Sequence, residues 1–401
     1  MMRSHPTSDH LPTFHHPMIV AIVLSITFMS IFACDLYIPS LPSIGVFFSA
    51  TESMTQLTIA LYFLGLSGAQ LLYGTASDRF GRKPVLLLGL SIAFLGSIVC
   101  LLATSMSILL LGRFIQGVGA AAGFGVARAV YSDLYQGEKL SRVGSYIGLV
   151  ISLAPAIAPT LGGYLQGEFG WQSNFVVLTL GFLAVTIIAA GFLPETHVNL
   201  NPHALKVNIL KQTFRYLLTH PVYLAASITS SVALSGVISY YMLSAYLYQD
   251  ILGITPFGNG LLTIAIAAGF GIGYAVNIIL IKKMGTSKMV TLGSMLMLMG
   301  SFMMLACAYT MDLNVYTLLL PMMLYVIGGS CIHANSTAIA IGTARHIAGA
   351  AAAVFGTLQM VITFLVSGLA SVLPNENAIS LSLLLCVTAF LALWASKTLH
   401  P

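Results

Sequence analysis

The sequence predicts an all-α polytopic membrane protein, with about twelve transmembrane helices in two six-helix bundles. Three observations predict it. Only 7% of the 401 residues are charged, 58% are hydrophobic and the mean hydropathy is +0.94. A soluble domain carries roughly 25% charged residues, so a water-facing surface cannot be covered here and the missing solvent is lipid. Uncharged apolar stretches long enough to cross ~30 Å of hydrocarbon recur along the whole chain. Lysine and arginine fall in every second connection between them.

Taken in order, the spans lie near 18–39, 54–75, 84–104, 107–128, 143–166, 172–193, 221–248, 257–281, 289–310, 314–340, 347–371 and 377–396. The turn between the third and fourth is read from Thr104, Ser105 and Ser107, since no charge lies between Lys83 and Arg113. The first run ends Ile31-Phe32-Ala33-Cys34-Asp35, a faint likeness to a lipoprotein cleavage box. Phe32 fits such a box poorly and cleavage would remove a helix the charge pattern requires, so the run is read as a retained span.

With the N-terminus in the cytoplasm, the inner connections hold Arg79, Arg82 and Lys83; Arg128, Lys139 and Arg142; Lys206, Lys211 and Arg215; Lys282, Lys283 and Lys288; and Arg345, with Arg3 and Lys397 on the tails. The outer connections hold Glu52, Glu168, Asp250, Asp312 and Glu376, and no lysine or arginine. One span more or fewer would scramble this positive-inside pattern. Both termini are therefore expected in the cytoplasm of a bacterium, with the chain in its inner membrane.

The longest polar interval, Glu195 to His220, splits six spans from six. The expected organisation is a tail over 1–17, a bundle over 18–194, a cytoplasmic linker over 195–220, a bundle over 221–396 and a tail over 397–401. An even split suggests two units related by duplication that rock around a midplane site. A weak internal echo supports it: Gly81 and Arg79 after span two align with Gly285 and Lys283 after span eight.

The residue types exclude several functions. No basic patch with interleaved aromatics offers a nucleic-acid surface. Cys34, Cys100, Cys307, Cys331 and Cys386 lie in apolar runs without metal spacing and read as small buried hydrophobes. His5, His10, His15 and His16 read as a solvated tail rather than a metal site. No HExxH, GxSxG or pair of intramembrane acids supports an enzyme, and no segment is long enough for a sensor's output domain.

Three motifs carry the mechanism. The first is Gly74-x-x-x-Asp78-Arg79-x-Gly81-Arg82-Lys83, between spans two and three. Gly74 suits close helix approach and Gly81 a sharp turn. Asp78 is expected at a helix N-terminus of the other bundle, and Arg82 with Asp133 to extend a charge network. The second is Arg113-x-x-Gln116-Gly117-x-Gly119 in span four. An arginine within a span needs a partner, and Asp35 is the only acid within a span. Both lie roughly 8–10 Å from the outer ends of their helices. The third is Ala154-Pro155-Ala-Ile-Ala-Pro159-Thr-Leu-Gly162-Gly163 in span five, where prolines bend the helix and small residues let the bundles touch.

These three motifs resemble, in turn, the signature loop, the fourth-span motif and the antiporter motif of the major facilitator superfamily. Asp35-Leu-Tyr37-Ile-Pro39-Ser-Leu-Pro42, Gly170-Trp171 with Phe175, and Leu193-Pro194-Glu195-Thr196 are similar to its bicyclomycin-resistance (Bcr/CflA) type drug/proton antiporters. The second half departs more, with His333-Ala-Asn335 where that type leads one to expect a proline. The resemblance implies the major facilitator fold, a latch at the Asp78 loop holding an outward-open state, and export by proton antiport. A proton-linked transporter of a nutrient or siderophore is the competing expectation.

On that reading Asp35 carries the proton, Arg113 favours its release and Gln116 offers the carboxylate an amide hydrogen bond. Substrate contacts are expected from Tyr37, Tyr240, Tyr241, His333, Asn335 and Gln359. One acid and one base leave the cavity near neutral, which favours small, largely apolar neutral or zwitterionic compounds. Expected partners are that substrate, protons and the bilayer, with no cofactor, no metal, a proton gradient as driving force and a monomeric state.

Overall fold

Polar residues at the ends of the apolar runs start the helices. Thr51, Ser105, Thr255 and Asn314 each accept a first-turn backbone N–H with their side chains, and Pro221 and Pro256 occupy first-turn positions where a missing N–H does no harm. In the computed structural model these signals give α1 (His16–Asp35), α2 (Leu41–Phe48), α3 (Glu52–Phe80), α4 (Arg82–Leu101), α5 (Met106–Leu134), α6 (Gly137–Phe169) and α7 (Gln172–Phe192). There follow α8 (Val207–Thr219), α9 (Pro221–Tyr246), α10 (Pro256–Met284), α11 (Thr286–Thr310), α12 (Val315–Thr343), α13 (Ala348–Ala370) and α14 (Ile379–Ser396). The structure describes residues 16–135, 137–197, 200–202, 204, 207–344, 347–375 and 377–399, with no strand among them. Arg3, Lys206, Arg345, Glu376, His5, His10 and His15 lie outside the described residues, as do the side chains of His16, Arg128, Lys139 and Arg142.

Eleven helical stretches are long and apolar enough to cross a bilayer, and the expected span 143–166 falls within the 33-residue α6. Large apolar side chains point outward along them: Phe390 and Ile187 are each 61% exposed. A belt of such residues would be costly against water and is at home in lipid. Six spans, α1 to α7 with α1 and α2 sharing one, form the first bundle; α9 to α14 form the second. Charge marks the two ends. Arg79, Arg82, Lys83, Lys282, Lys283 and Lys288 define a basic end, and Glu52, Glu168, Asp250 and Asp312 an acidic end.

Two features depart from the expected elements. The first span does not run unbroken to residue 39. Its helix stops at Asp35, passes through a 3₁₀ turn (Ile38–Ser40) and resumes as α2. Pro39 and Pro42 supply no backbone N–H, so the ladder cannot continue through them. The interval between bundles, expected as plain linker, contains α8. The echo between the halves has a structural counterpart. Gly81 and Gly285 both adopt positive φ, 98° and 78°, and each caps its preceding helix through its N–H.

Across the bundles, α6 packs on α10 and α3 on α13. The small residues of α6 allow the first contact. A methyl group added at Gly163 would run into the Pro256 carbonyl, and one added at Gly260 into that of Pro159. Within the first bundle, Gly162 lies tighter still against the Leu36 carbonyl, next to the break in α1.

Candidate functional site

The break in α1 leaves Asp35 as the last residue of its helix, 4% exposed, on the side of the first bundle that meets the second. Arg113, on α5, is fully buried. Its guanidinium stacks between two rings, 4.2 Å from the centre of Tyr37 and 4.4 Å from that of Tyr62. Its Nη1 donates to the Ala33 carbonyl at 2.9 Å and to Gln116 Oε1. Nε and Nη2 have no hydrogen-bond partner. The rings are fixed in turn. Tyr37 shares a hydrogen bond with Thr58 at 2.7 Å, and Tyr62 donates to the Ser30 carbonyl at 2.6 Å.

Among the described residues, no ion pair within 4.0 Å joins Asp35 to Arg113. The two remain within electrostatic reach, but the expected direct pair is not formed in this state. Gln116 does not serve Asp35 either. Its oxygen is taken by Arg113, and its Nε2 donates to Ser97 on α4 at 2.7 Å. The amide thus positions the guanidinium.

Residues expected at the substrate divide into separate groups. His333 and Gln359 come together around Ser230. The Ser230 hydroxyl lies 3.1 Å from His333 Nδ1, and Gln359 Nε2 lies 3.4 Å from that hydroxyl and 3.5 Å from the ring nitrogen. The cluster joins α9, α12 and α13. Asn335 faces elsewhere and donates to Asn277 of α10 at 2.6 Å. Tyr240 shares a 2.7 Å hydrogen bond with Tyr248. The Tyr241 hydroxyl is buried without a partner and lies within electrostatic range of Asp35. Tyr37 is packed under Arg113, with no surface open to a ligand here.

At the basic end, Arg82 is the hub of the signature loop. It donates to Asp78 at 2.5 Å, to Ser77 at 2.7 Å and to Asp133 at 2.8 Å. Arg79 sits 5.1 Å from the centre of the Phe80 ring, and Lys83 Nζ donates to the Ala190 carbonyl at 2.8 Å. These contacts stay within the first bundle. The expected placement of Asp78 at a helix N-terminus of the second bundle is not found, because its carboxylate is held by Arg82. Nothing lies within 4 Å of where a Cβ would sit on Gly74, so a side chain would fit there, although the Gly74 backbone nitrogen lies 3.9 Å from where a Cβ would sit on Gly125 of α5. Glu195 was not singled out from sequence for this network. Its carboxylate accepts the Arg82 and Lys83 backbone N–H groups at 2.8 and 3.1 Å and so caps α4. The signal was its place in Leu193-Pro194-Glu195-Thr196, where the chain leaves α7 beside that helix start.

Of the antiporter run, Pro155 and Pro159 lie inside α6, and Thr160 donates to the Gly260 carbonyl of α10 at 3.0 Å. Two cavities lie toward the acidic end. One of about 10 Å³ is lined by Ile38, Pro39, Pro159, Tyr240, Tyr241 and Tyr248, among others. The other, of about 500 Å³, is a vestibule at the mouth of the interface with Glu52, Tyr246, Asp250 and Asn375 in its walls.

Two helical bundles in a lipid-facing coat, touching through small residues and enclosing a carboxylate and a guanidinium, define a membrane transporter rather than an enzyme. The chain belongs to the Major Facilitator Superfamily, whose profile matches residues 23–367. It is 26% identical to a bicyclomycin resistance protein homolog of Haemophilus influenzae, over 86% of this chain and 87% of the relative. It is 27% identical to multidrug resistance protein D of Escherichia coli, over 90% of each. Among solved structures, a D-xylose-proton symporter superposes with a TM-score of 0.76 at 15% identity, covering 95% of this chain and 96% of that one. The xylose transporter XylE from E. coli, in a partially occluded inward-open conformation, gives 0.73 at 16% identity, covering 95% and 97%. At such identity the likeness is one of fold.

Proposed function

We propose that the protein is a proton-coupled antiporter that exports small, largely apolar neutral or zwitterionic compounds by alternating access. It sits in the bacterial inner membrane with its basic end and both termini in the cytoplasm, works as a monomer, and needs a proton gradient but no bound cofactor. The observation that carries the reading is the geometry at the α1 break. Arg113 is clamped by Tyr37, Tyr62 and Gln116, with two donors left over, while Asp35 rests nearby without an ion pair. A protonated Asp35 can stay buried in this way. An ionised one would cost several kcal/mol unless it reached a partner, and the spare Arg113 donors are the partner at hand. Gain and loss of one proton would thus switch a contact beside the Gly162 contact with Leu36.

Substrate would compete for the same interface. The Ser230, His333 and Gln359 cluster offers hydrogen-bonding groups, with Tyr240 and Tyr241 as aromatic walls. One acid and one base support a preference for uncharged or zwitterionic cargo, and the drug-resistance names of the relatives support export. The Asp78, Arg79, Gly81, Arg82 and Lys83 loop with Gly74 and Asp133 is the proposed latch of the alternate state, and Pro155, Pro159, Gly162 and Gly163 the sliding contact.

The test is a drug and metabolite panel in an efflux-deficient host, with uptake into inverted membrane vesicles under an imposed pH gradient. The intact protein is expected to confer resistance and to load inverted vesicles, and Asp35→Asn to lose both. Full, pH-dependent efflux by Asp35→Asn would remove Asp35 as carrier. Loading of right-side-out vesicles with a nutrient alongside protons would replace export by uptake.

A further inference from the structure

The acidic end of the interface is shut to substrate. Thr55 and Tyr246 share a hydroxyl contact, Gln249 donates to the Pro39 carbonyl at 2.8 Å, and Gly163 and Gly260 bring α6 and α10 together. Asp35 lies beneath this seal. A proton from the acidic end needs a path that a substrate cannot follow.

The small cavity supplies the geometry for one. At about 10 Å³ it is near the lower bound for a single water, and its walls include three tyrosines, Asn259 and Thr263 to hold that water. On one side, Tyr248 and Tyr240 already share a hydrogen bond, and the π-helical turn Leu247–Ile251 that carries Tyr248 also places Asp250 on the wall of the 500 Å³ vestibule. On the other side is the Tyr241 hydroxyl, buried and unpartnered on a residue that lines the cavity, within electrostatic range of Asp35. The other charged or titratable groups within electrostatic range of Asp35 are Arg113 of α5, Tyr62 of α3 and its neighbour Cys34. None of these lines the cavity.

We propose that Tyr241 relays protons to Asp35 from the acidic-end vestibule, through the Tyr248–Tyr240 hydroxyl pair and one water held between them. The proposal rests on the reading of Asp35 as the proton carrier. The relay is neutral at each stop. A proton from the vestibule adds to the tyrosine pair, the pair gives one to the water, the water gives one to Tyr241 Oη, and the Tyr241 hydroxyl proton leaves for an Asp35 carboxylate oxygen, so that every tyrosine and the water are regenerated. Tyr241 therefore passes the proton on and is not consumed.

The experiment uses the full chain in vesicles with the acidic end outward. Proton uptake after an external acid pulse is followed with a pH-indicator dye, so no substrate need be known. The intact protein should show an uptake phase that Asp35→Asn lacks. Tyr241→Phe keeps the ring and its packing. It should keep the amplitude of that phase and lower its rate by about tenfold or more. An unchanged rate overturns the relay, and so does a loss of amplitude equal to that of Asp35→Asn, which would make Tyr241 part of the proton-binding site itself. If Tyr241→Phe does not reach the membrane, Tyr240→Phe is read by the same criteria. Persistence of the phase in Asp35→Asn defeats the carrier reading instead, a separate result.

Discussion

The two ends of the bundle interface are built differently. At the acidic end three of the described hydrogen bonds cross from one bundle to the other: Thr55 to Tyr246, Gln249 to Pro39 and Thr160 to Gly260. At the basic end the strongest contacts, Arg82 with Asp78 and Asp133 and Glu195 with the start of α4, stay inside the first bundle. One end is a seal between two bodies, and the other is a brace within one. The seal uses hydroxyls, carbonyls and glycines, groups that part without exposing a charge. The brace uses ion pairs, which are expensive to break in a dry setting. A molecule that must alternate can afford the first kind of contact at its moving surface and keeps the second where nothing needs to slide.

The most direct way to break this comparison is Gly163→Leu. The Pro256 carbonyl occupies the space where even a methyl group would go, and it is backbone, so it cannot swing aside. Transport is expected to fall to background while the protein still reaches the membrane. The vestibule should stay open, with a cysteine placed by Ser53→Cys, in a variant lacking the five native cysteines, labelling faster with a membrane-impermeant maleimide. Normal transport by this variant would mean that α6 and α10 need not meet.

A smaller effect is expected from Arg82→Gln, and it should be of another kind. The substitution strands Asp78 and Asp133, one of them partly exposed, so about 1–3 kcal/mol of stability is expected to go. This would appear as a lower unfolding temperature in detergent. Because the network does not cross the interface in this state, Ser53→Cys labelling should hardly change. A large change in labelling with no loss of stability would turn the brace into a gate.

The contrast between the two ends also marks what the sequence made legible. Twelve helices and their alternating direction were readable because lipid forbids charge along a span and the chain spends its few lysines and arginines between spans. Asp35 and Arg113 stood out for the same reason, as the acid and the base within spans. What each side chain touches was not readable. His333 and Asn335 are two residues apart, about 200° around a helix, so one joins Ser230 and Gln359 while the other turns to Asn277. Gln116 is expected to donate to Asp35, but its Nε2 donates to Ser97 of α4 while its oxygen accepts from Arg113 one turn away. Glu195 reaches back across more than a hundred residues to cap α4, and its run Leu193-Pro194-Glu195-Thr196 marks where the chain leaves α7 without naming the partner.

The mildest perturbation is the sharpest measure of the seal. Tyr246→Phe removes one hydroxyl from the Thr55 contact and leaves the ring in place. Thr55 is not stranded, since its hydroxyl also donates to the Glu52 carbonyl at 2.8 Å. The loss is therefore that of one hydrogen bond with no buried orphan left behind, about 0.5–1.5 kcal/mol. Spent wholly on the closed state, this raises the open population at the acidic end by roughly two- to tenfold, and Ser53→Cys labelling should rise by that factor. Thr55→Val, which deletes the other partner and leaves the Tyr246 hydroxyl beside Glu52 and Asp250, should act in the same direction. If neither variant alters labelling, the hydroxyl contact is incidental and the glycine packing of α6 on α10 closes this end unaided.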